Sequence, residues 1–311
     1  VKASEIDPND SKDAYLTKQE VIGNSWIMLF AGHESTGNTT HFALTFLAIA
    51  LDSQATLQAD IDKILDTRPT EKWTYESDMG RLYQSMVGAT MNETLRLCPP
   101  IIDIPKIVRE NPKSLNWDGK TATVPPNTMI HLSACSVGRN PRYWPHSPSK
   151  ISSRKHDLDD FVPERWLRGS KKANGATDSN DSSDSENVSG IKNASFESGG
   201  GLFVPPKGAF VPFSEGARSC PGKRFAQVEI MAVLAVIFKT YTVELDVREW
   251  ASDEEIEAMG KEERRSVYEK AMVKARRLVR ESETIIALKM HGKVPVRFVA
   301  RGSDKFMGCF V

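Results

Sequence analysis

The sequence predicts a mainly α fold, with small β-sheets gathered in a minority layer. Three observations carry that expectation. Residues 21–51 form a stretch apolar at both ends and polar in the middle, which reads as one long helix. A second strongly apolar stretch, 227–240, reads as a buried helix. The remaining patterned segments include short alternating runs near turn signals such as Asp118-Gly119, Pro125-Pro126 and His291-Gly292.

The chain of 311 residues is long enough for one large domain or two ordinary ones. Its 41 Lys+Arg balance 41 Asp+Glu, which argues against a nucleic-acid partner, because such proteins carry a basic excess. Cys98, Cys135, Cys220 and Cys309 lie far apart with no C-x-x-C pair. Neither the common zinc patterns nor a disulfide framework is supported. The chain opens on Val1, with no signal-like or anchor segment.

In chain order, residues 1–20 are polar, contain the turn Asp7-Pro8-Asn9-Asp10, and are expected to be a connector. The 21–51 helix would run roughly 45 Å. Its midsection, Gly32-His33-Glu34-Ser35-Thr36-Gly37-Asn38-Thr39-Thr40-His41, excludes a membrane span. Residues 78–97 read as a helix stopped by Pro99-Pro100. Strands are expected over 114–117 and 121–124, flanking Asp118-Gly119, and over 128–133. Residues 169–201 are rich in Ser, Gly and Asn and read as a disordered surface insertion. Ser252-x-x-Glu255 starts a charged helix expected to reach about Glu281, weakened by about 1 kcal/mol at Gly260. Runs 284–290 and 294–300 are expected to close the chain as a hairpin.

The sharpest feature is Phe213-Ser214-Glu215-Gly216-Ala217-Arg218-Ser219-Cys220-Pro221-Gly222, just before the second apolar helix. Pro221 suits a first helical position, which makes Cys220 the expected N-cap. A sulfur there faces unpaired amides and the positive end of a helix, which favour negative charge. Gly216 and Gly222 permit close approach of a flat ligand, Phe213 can pack on one face of it, and Arg218 offers a fork for a carboxylate. The blander account, a small buried hydrophobe at Cys220, is the commoner fate of a lone cysteine.

This loop resembles the F-x-x-G-x-R-x-C-x-G signature of the cytochrome P-450 family, and four further segments resemble family motifs in family order. Ala31-Gly32-His33-Glu34-Ser35-Thr36 resembles the oxygen-binding groove, with Ser35 where most relatives have Thr. Glu93-Thr94-Leu95-Arg96 resembles E-x-x-R. Phe161-Val162-Pro163-Glu164-Arg165-Trp166 resembles the P-E-R-F segment, with Trp for Phe, and Arg139-Asn140-Pro141 with Trp144 resembles the stretch before it.

The resemblance, covering about residues 20–300, implies a cytochrome P-450 fold whose N-terminal half lies outside this sequence. It implies haem b with Cys220 as axial thiolate ligand, in a loop that includes Phe213, Gly216 and Gly222. Arg218 and Lys106 would pair with propionates, and Ala31 would leave room for O2. Ser35 would pass protons, with Thr36 and Glu34 as alternatives. Glu93, Arg96 and Arg165 would form a buried structural triad, and Ile101 and Ile102 would line the substrate pocket.

The implied activity is monooxygenation of a lipophilic substrate. An NADPH-dependent flavoprotein reductase would supply electrons, with Lys223 and Arg224 either meeting its acidic surface or standing as two solvated helix charges, and the full-length protein would reside at the endoplasmic reticulum membrane. Alternatives are a truncated haem-binding fragment without turnover, and a haem-thiolate isomerase or dehydratase needing no external electrons. Zinc hydrolysis lacks an H-x-x-x-H pair, Gly199-Gly200-Gly201 lacks the rest of a phosphate-binding loop, and Ser35 lies in no G-x-S-x-G elbow.

Overall fold

The computed structural model describes residues 16–167 and 201–311. Helix α1 runs Lys18–Ile49, so its first residues come from the expected 1–20 connector. Thr17 and Glu20 set that start: each side chain accepts the other's backbone N–H, at 3.3 and 2.8 Å. Residues 1–15 lie outside the described residues. Burial begins only at Thr36. Ahead of it, apolar side chains such as Trp26 and Leu29 are 62% and 73% exposed.

At Ala50 the chain bends by 111° into α2, Leu51–Leu65. The helix expected over 78–97 is two helices. A π-turn, Tyr75–Met79, leads into α3, Gly80–Tyr83, and the chain restarts as α4, Met86–Leu97. The cause is Ser85, whose Oγ accepts the Val87 N–H at 3.1 Å and so caps a new helix. Every residue of α4 is buried, and the helix packs against α1 and α2.

Strands β1 (Asp103–Ile107), β2 (Lys113–Trp117), β3 (Lys120–Val124) and β4 (Met129–Ser133) follow. β2 and β3 form the expected hairpin, with Asp118 and Gly119 at φ +43° and +73°, as a tight primed turn needs. β1 pairs antiparallel with β4, Asp103 opposite Ser133. The short α5, Ala134–Val137, leads to a 3-10 turn, Pro163–Trp166.

The expected insertion 169–201 lies outside the described residues except for its last residue. Gly201 is packed on Gln84, whose Cβ would stand 2.8 Å from any Cβ added there. Leu167 and Leu202 form an antiparallel bridge, and Phe203 N–H donates to the Trp166 carbonyl at 2.6 Å.

Helix α6, Lys223–Thr240, crosses beneath α1 and buries Ile230, Met231, Leu234 and Phe238. β5 (Tyr241–Leu245) follows. The charged helix expected to reach Glu281 is broken into α7, Asp253–Ala258, and α8, Lys261–Arg280. Gly260 is extended, and its N–H is taken by Glu263 at 3.0 Å, which makes a second helix start there.

The expected closing hairpin does not form. β6 (Glu283–Thr284) pairs with β7 (Leu288–Lys289), while β8 (Val296–Ala300) reaches back to β5. β5 is buried and needs partners on both edges. β8 supplies one. On the other, the Gln54 side chain accepts from Val243 N–H at 2.8 Å and donates to its carbonyl at 2.9 Å.

Candidate functional site

The Cys220 loop is shaped by backbone bonds. Ser214 and Gly216 adopt φ of +58° and +79°, the second being a conformation that favours glycine. Ser219 N–H donates to the Gly216 carbonyl at 3.0 Å, closing the 3-10 turn Gly216–Arg218. Cys220 N–H then donates to the Phe213 carbonyl at 2.8 Å, which holds the two ends of the loop together. The cysteine is exposed, unlike a small core hydrophobe.

Cys220 is not the N-cap of α6. That position falls to Gly222, because Pro221 and Gly222 turn the chain before the first helical residue, Lys223. The sulfur still lies beside the helix start, 3.9 Å from where a Cβ on Gly222 would stand. Phe213 packs partly buried against the core, and Arg218 is exposed. Arg224 spends its guanidinium on Tyr75, bonding the hydroxyl at 2.7 Å and lying over the ring at 5.4 Å. Lys223 is exposed.

On α1, Ala31 is exposed, Glu34 and Ser35 are half-buried and Thr36 is buried. Ser35 Oγ donates to the Ala31 carbonyl at 2.8 Å, and Thr39 repeats the pattern onto Ser35. The Ser35 hydroxyl is therefore parked on its own helix, one rotamer change away from the exposed Ala31 face.

Lys106 is an exposed residue of β1. Ile101 is exposed, while Ile102 is half-buried and borders a cavity at the C-terminal end of α1. Leu288 N–H donates to the Pro100 carbonyl at 2.8 Å, which ties the β6–β7 turn to the residues just before Ile101. Ile285 and Ile286 are exposed in that turn, outside the two short strands that flank it.

Glu93, Arg96 and Arg165 are brought together between α4 and the 3-10 turn Pro163–Trp166. Arg96 donates to both Glu93 oxygens at 2.8 Å, and Arg165 Nε donates to Oε1 at 2.9 Å. The other guanidinium donors reach the Gly138 and Leu158 carbonyls from Arg96, and the Pro145 and Asp157 carbonyls and the Asp157 carboxylate from Arg165. Burial pushes the Glu93 carboxyl up, but the two guanidinium charges outweigh it and hold it at about 2. Trp166 Nε1 adds a bond to Oε2 at 2.9 Å, and Val162 N–H one to Oε1 at 3.1 Å.

Arg139 ties the α4 end to α5 by donating to the Leu97 and Cys135 carbonyls, at 2.9 and 3.2 Å. Trp144 is buried edge-on to Trp166, with ring centres 5.2 Å apart. Asn140 Oδ1 accepts the Arg142 N–H at 3.0 Å, the acceptor role an Asp would fill.

The family model for cytochrome P450 matches residues 2–267. The chain belongs to the cytochrome P450 family. A cytochrome P450 monooxygenase of Arthrobotrys oligospora is 30% identical over 288 residues, covering 91% of this chain and 43% of that protein. Cytochrome P450 monooxygenase 124 of Postia placenta is 29% identical over 254 residues, covering 79% and 39%. Cytochrome P450 3A31 of Mesocricetus auratus is 28% identical over 238 residues, covering 76% and 37%. This P450 chain thus spans less than half the length of the curated relatives it matches.

Membership implies a haem cofactor, and the residues present fit one. Cys220 is a single exposed soft donor of the kind that ligates haem iron. A Cβ at Gly216 on the loop, or at Gly32 on α1, would meet nothing within 4 Å, which leaves the backbone open on both elements. Arg218 and Lys106 are exposed cations suited to carboxylates.

Proposed function

We propose that this chain carries the haem-thiolate centre of a monooxygenase that inserts one atom of O2 into a lipophilic substrate. The other oxygen atom leaves as water, with two electrons and two protons consumed. The observation that carries this reading is Cys220, exposed at the closed end of a backbone-bonded loop at the start of α6.

Bound haem b supplies the O2-activating chemistry, with the Cys220 sulfur as its protein ligand. Arg218 and Lys106 orient it by charge. Ser35 leaves the Ala31 carbonyl to pass a proton, and Glu34 and Thr36 are its neighbours on α1. Glu93, Arg96 and Arg165 hold α4 to the 3-10 turn Pro163–Trp166. Ile101, with Ile285 and Ile286, contributes apolar surface for the substrate. Electrons come from an NADPH-dependent flavoprotein reductase. For the full-length protein we propose the endoplasmic reticulum membrane, which subcellular fractionation would test.

The deciding experiment is a carbon monoxide difference spectrum of the reduced, haem-loaded chain. A thiolate-type Soret band that Cys220→Ala abolishes is the expected result, and its absence in the unsubstituted chain would sink the proposal. Product formation that requires reductase and NADPH separates this activity from isomerase or dehydratase chemistry. The exposed apolar first half of α1 favours a second reading, a haem-binding fragment without turnover. It predicts the band without product.

A further inference from the structure

A cavity of about 1030 Å3 opens at the C-terminal end of α1, between the 157–164 segment and α8. Its Phe46 wall lies about 22 Å along the helix from Ala31, and neither Cys220 nor Ser35 lines it. The volume is at the upper end of the range usual for small-molecule pockets, roughly 300–1,000 Å3.

One wall is apolar. Phe46 and Phe161 stack with centres 4.8 Å apart, and Met272 and Phe310 continue that surface. The opposing charges are unevenly satisfied. Asp157 pairs with Arg165, and Asp159 pairs with Arg139 and Arg154. Asp160 and Glu164 each accept a serine hydroxyl at 2.7 Å, from Ser149 and Ser53, and Asp52 accepts the Ser53 N–H at 2.9 Å.

Arg276 differs. It is half-buried, yet among the described residues it makes no hydrogen bond or ion pair. Burial lowers its pKa, and the Asp160 charge opposes that only in part. Arg280, one turn further along α8, borders the same space and is also unpaired among the described residues. A guanidinium with five donors, kept beside an aromatic wall without a partner, is a ready seat for an anionic head group.

We propose that this cavity binds a long-chain carboxylate, its head on Arg276 and Arg280 and its tail along Phe46, Phe161 and Phe310. The pairing is by charge and apolar area, with no chemistry on the ligand. The seat itself stands apart from the monooxygenase reading, although Ile102, expected in the substrate pocket, borders this cavity and is not part of the seat.

The test is calorimetric titration of the 311-residue chain with dodecanoate below its micelle concentration, beside dodecanol and dodecyltrimethylammonium. Saturable one-to-one binding of dodecanoate is expected, about tenfold or more tighter than either neutral or cationic analogue. Arg276→Gln combined with Arg280→Gln should remove that margin while near-UV circular dichroism stays unchanged. Arg277→Gln, on an exposed position paired with Glu281, should leave it intact. Cys220→Ala should also bind dodecanoate as the unsubstituted chain does. Equal affinity for the three amphiphiles, no binding, or an unchanged margin in the double variant would overturn the proposal. So would loss of binding in Cys220→Ala, which would place the ligand at the other site.

Discussion

Trp166 Nε1 donates to Glu93 Oε2 across 2.9 Å, with both side chains buried. The tryptophan thus contributes more than an aromatic ring to the triad: it supplies a donor that phenylalanine lacks. Trp166→Phe is expected to destabilise the chain by about 1–3 kcal/mol, by leaving a lone pair of a buried carboxylate unmet. Trp166→Ala should cost more, about 3–5 kcal/mol, through the added cavity beside Trp144. Urea unfolding of the two variants measures both.

Acid should weaken the fold through Glu93. Its carboxyl is at about 2 in the folded chain against an ordinary 4.5, so folding favours the ionised form. That stabilisation is complete above about pH 4.5 and is lost as pH falls toward about 2. Glu93→Gln is expected to flatten this limb. Near neutral pH it should cost about 3–5 kcal/mol, because the Arg96 guanidinium stays buried without a counter-charge, while Arg165 keeps only Asp157. Denaturant midpoints across the acid range read both effects.

Ser35 offers a sharper test of proton delivery than of folding. Among the described residues its hydroxyl bonds only to its own helix at Ala31, a contact worth little to stability. Ser35→Ala should therefore melt within about 0.5 kcal/mol of the unsubstituted chain. On the proposed monooxygenase reading, product per O2 consumed in a reductase-supported assay should fall by about tenfold or more, with peroxide released instead. Ser35→Thr, which keeps the hydroxyl and adds a β-branch, should retain coupling. Unchanged coupling in Ser35→Ala would move the role to Thr36 or Glu34.

Tyr268 joins α8 to two elements at once. Its hydroxyl donates to the Ala48 carbonyl at 2.7 Å and accepts the Leu245 N–H at 2.9 Å. Tyr268→Phe should leave both backbone groups buried and unmet, costing about 1–3 kcal/mol for each. A thermal melt in which this variant matched the unsubstituted chain would mean that water replaces the hydroxyl.

Local chemistry was readable in the sequence wherever neighbours in the chain decide the structure. Asp118-Gly119 made its turn, Ser252 and Glu255 made their capping box, and Thr17 with Glu20 added one that the polar opening concealed. The loop from Phe213 to Cys220 was legible because its residue types are so restrictive, although the helix start was placed two residues early.

What escaped was set by tertiary competition. Gln54 lies far from Val243 in sequence, so its service as a stand-in strand edge left no local trace. β8 pairs with β5 because that buried strand needed a neighbour, whatever the nearer turn at His291-Gly292 suggested. Ser85 and Gly260 each broke a helix whose periodic pattern ran straight through them. The Trp166 bond to Glu93 was hidden inside what reads as an aromatic exchange.

The flanks of the Leu167–Leu202 bridge are fastened independently, by Arg165 on Glu93 and by Phe203 on the Trp166 carbonyl. The two ends are thereby held side by side by contacts that lie outside the intervening residues. The spacing of the two strands of chain at this junction is thus dictated by Glu93, buried far upstream on α4, and not by the residues that run from one to the other.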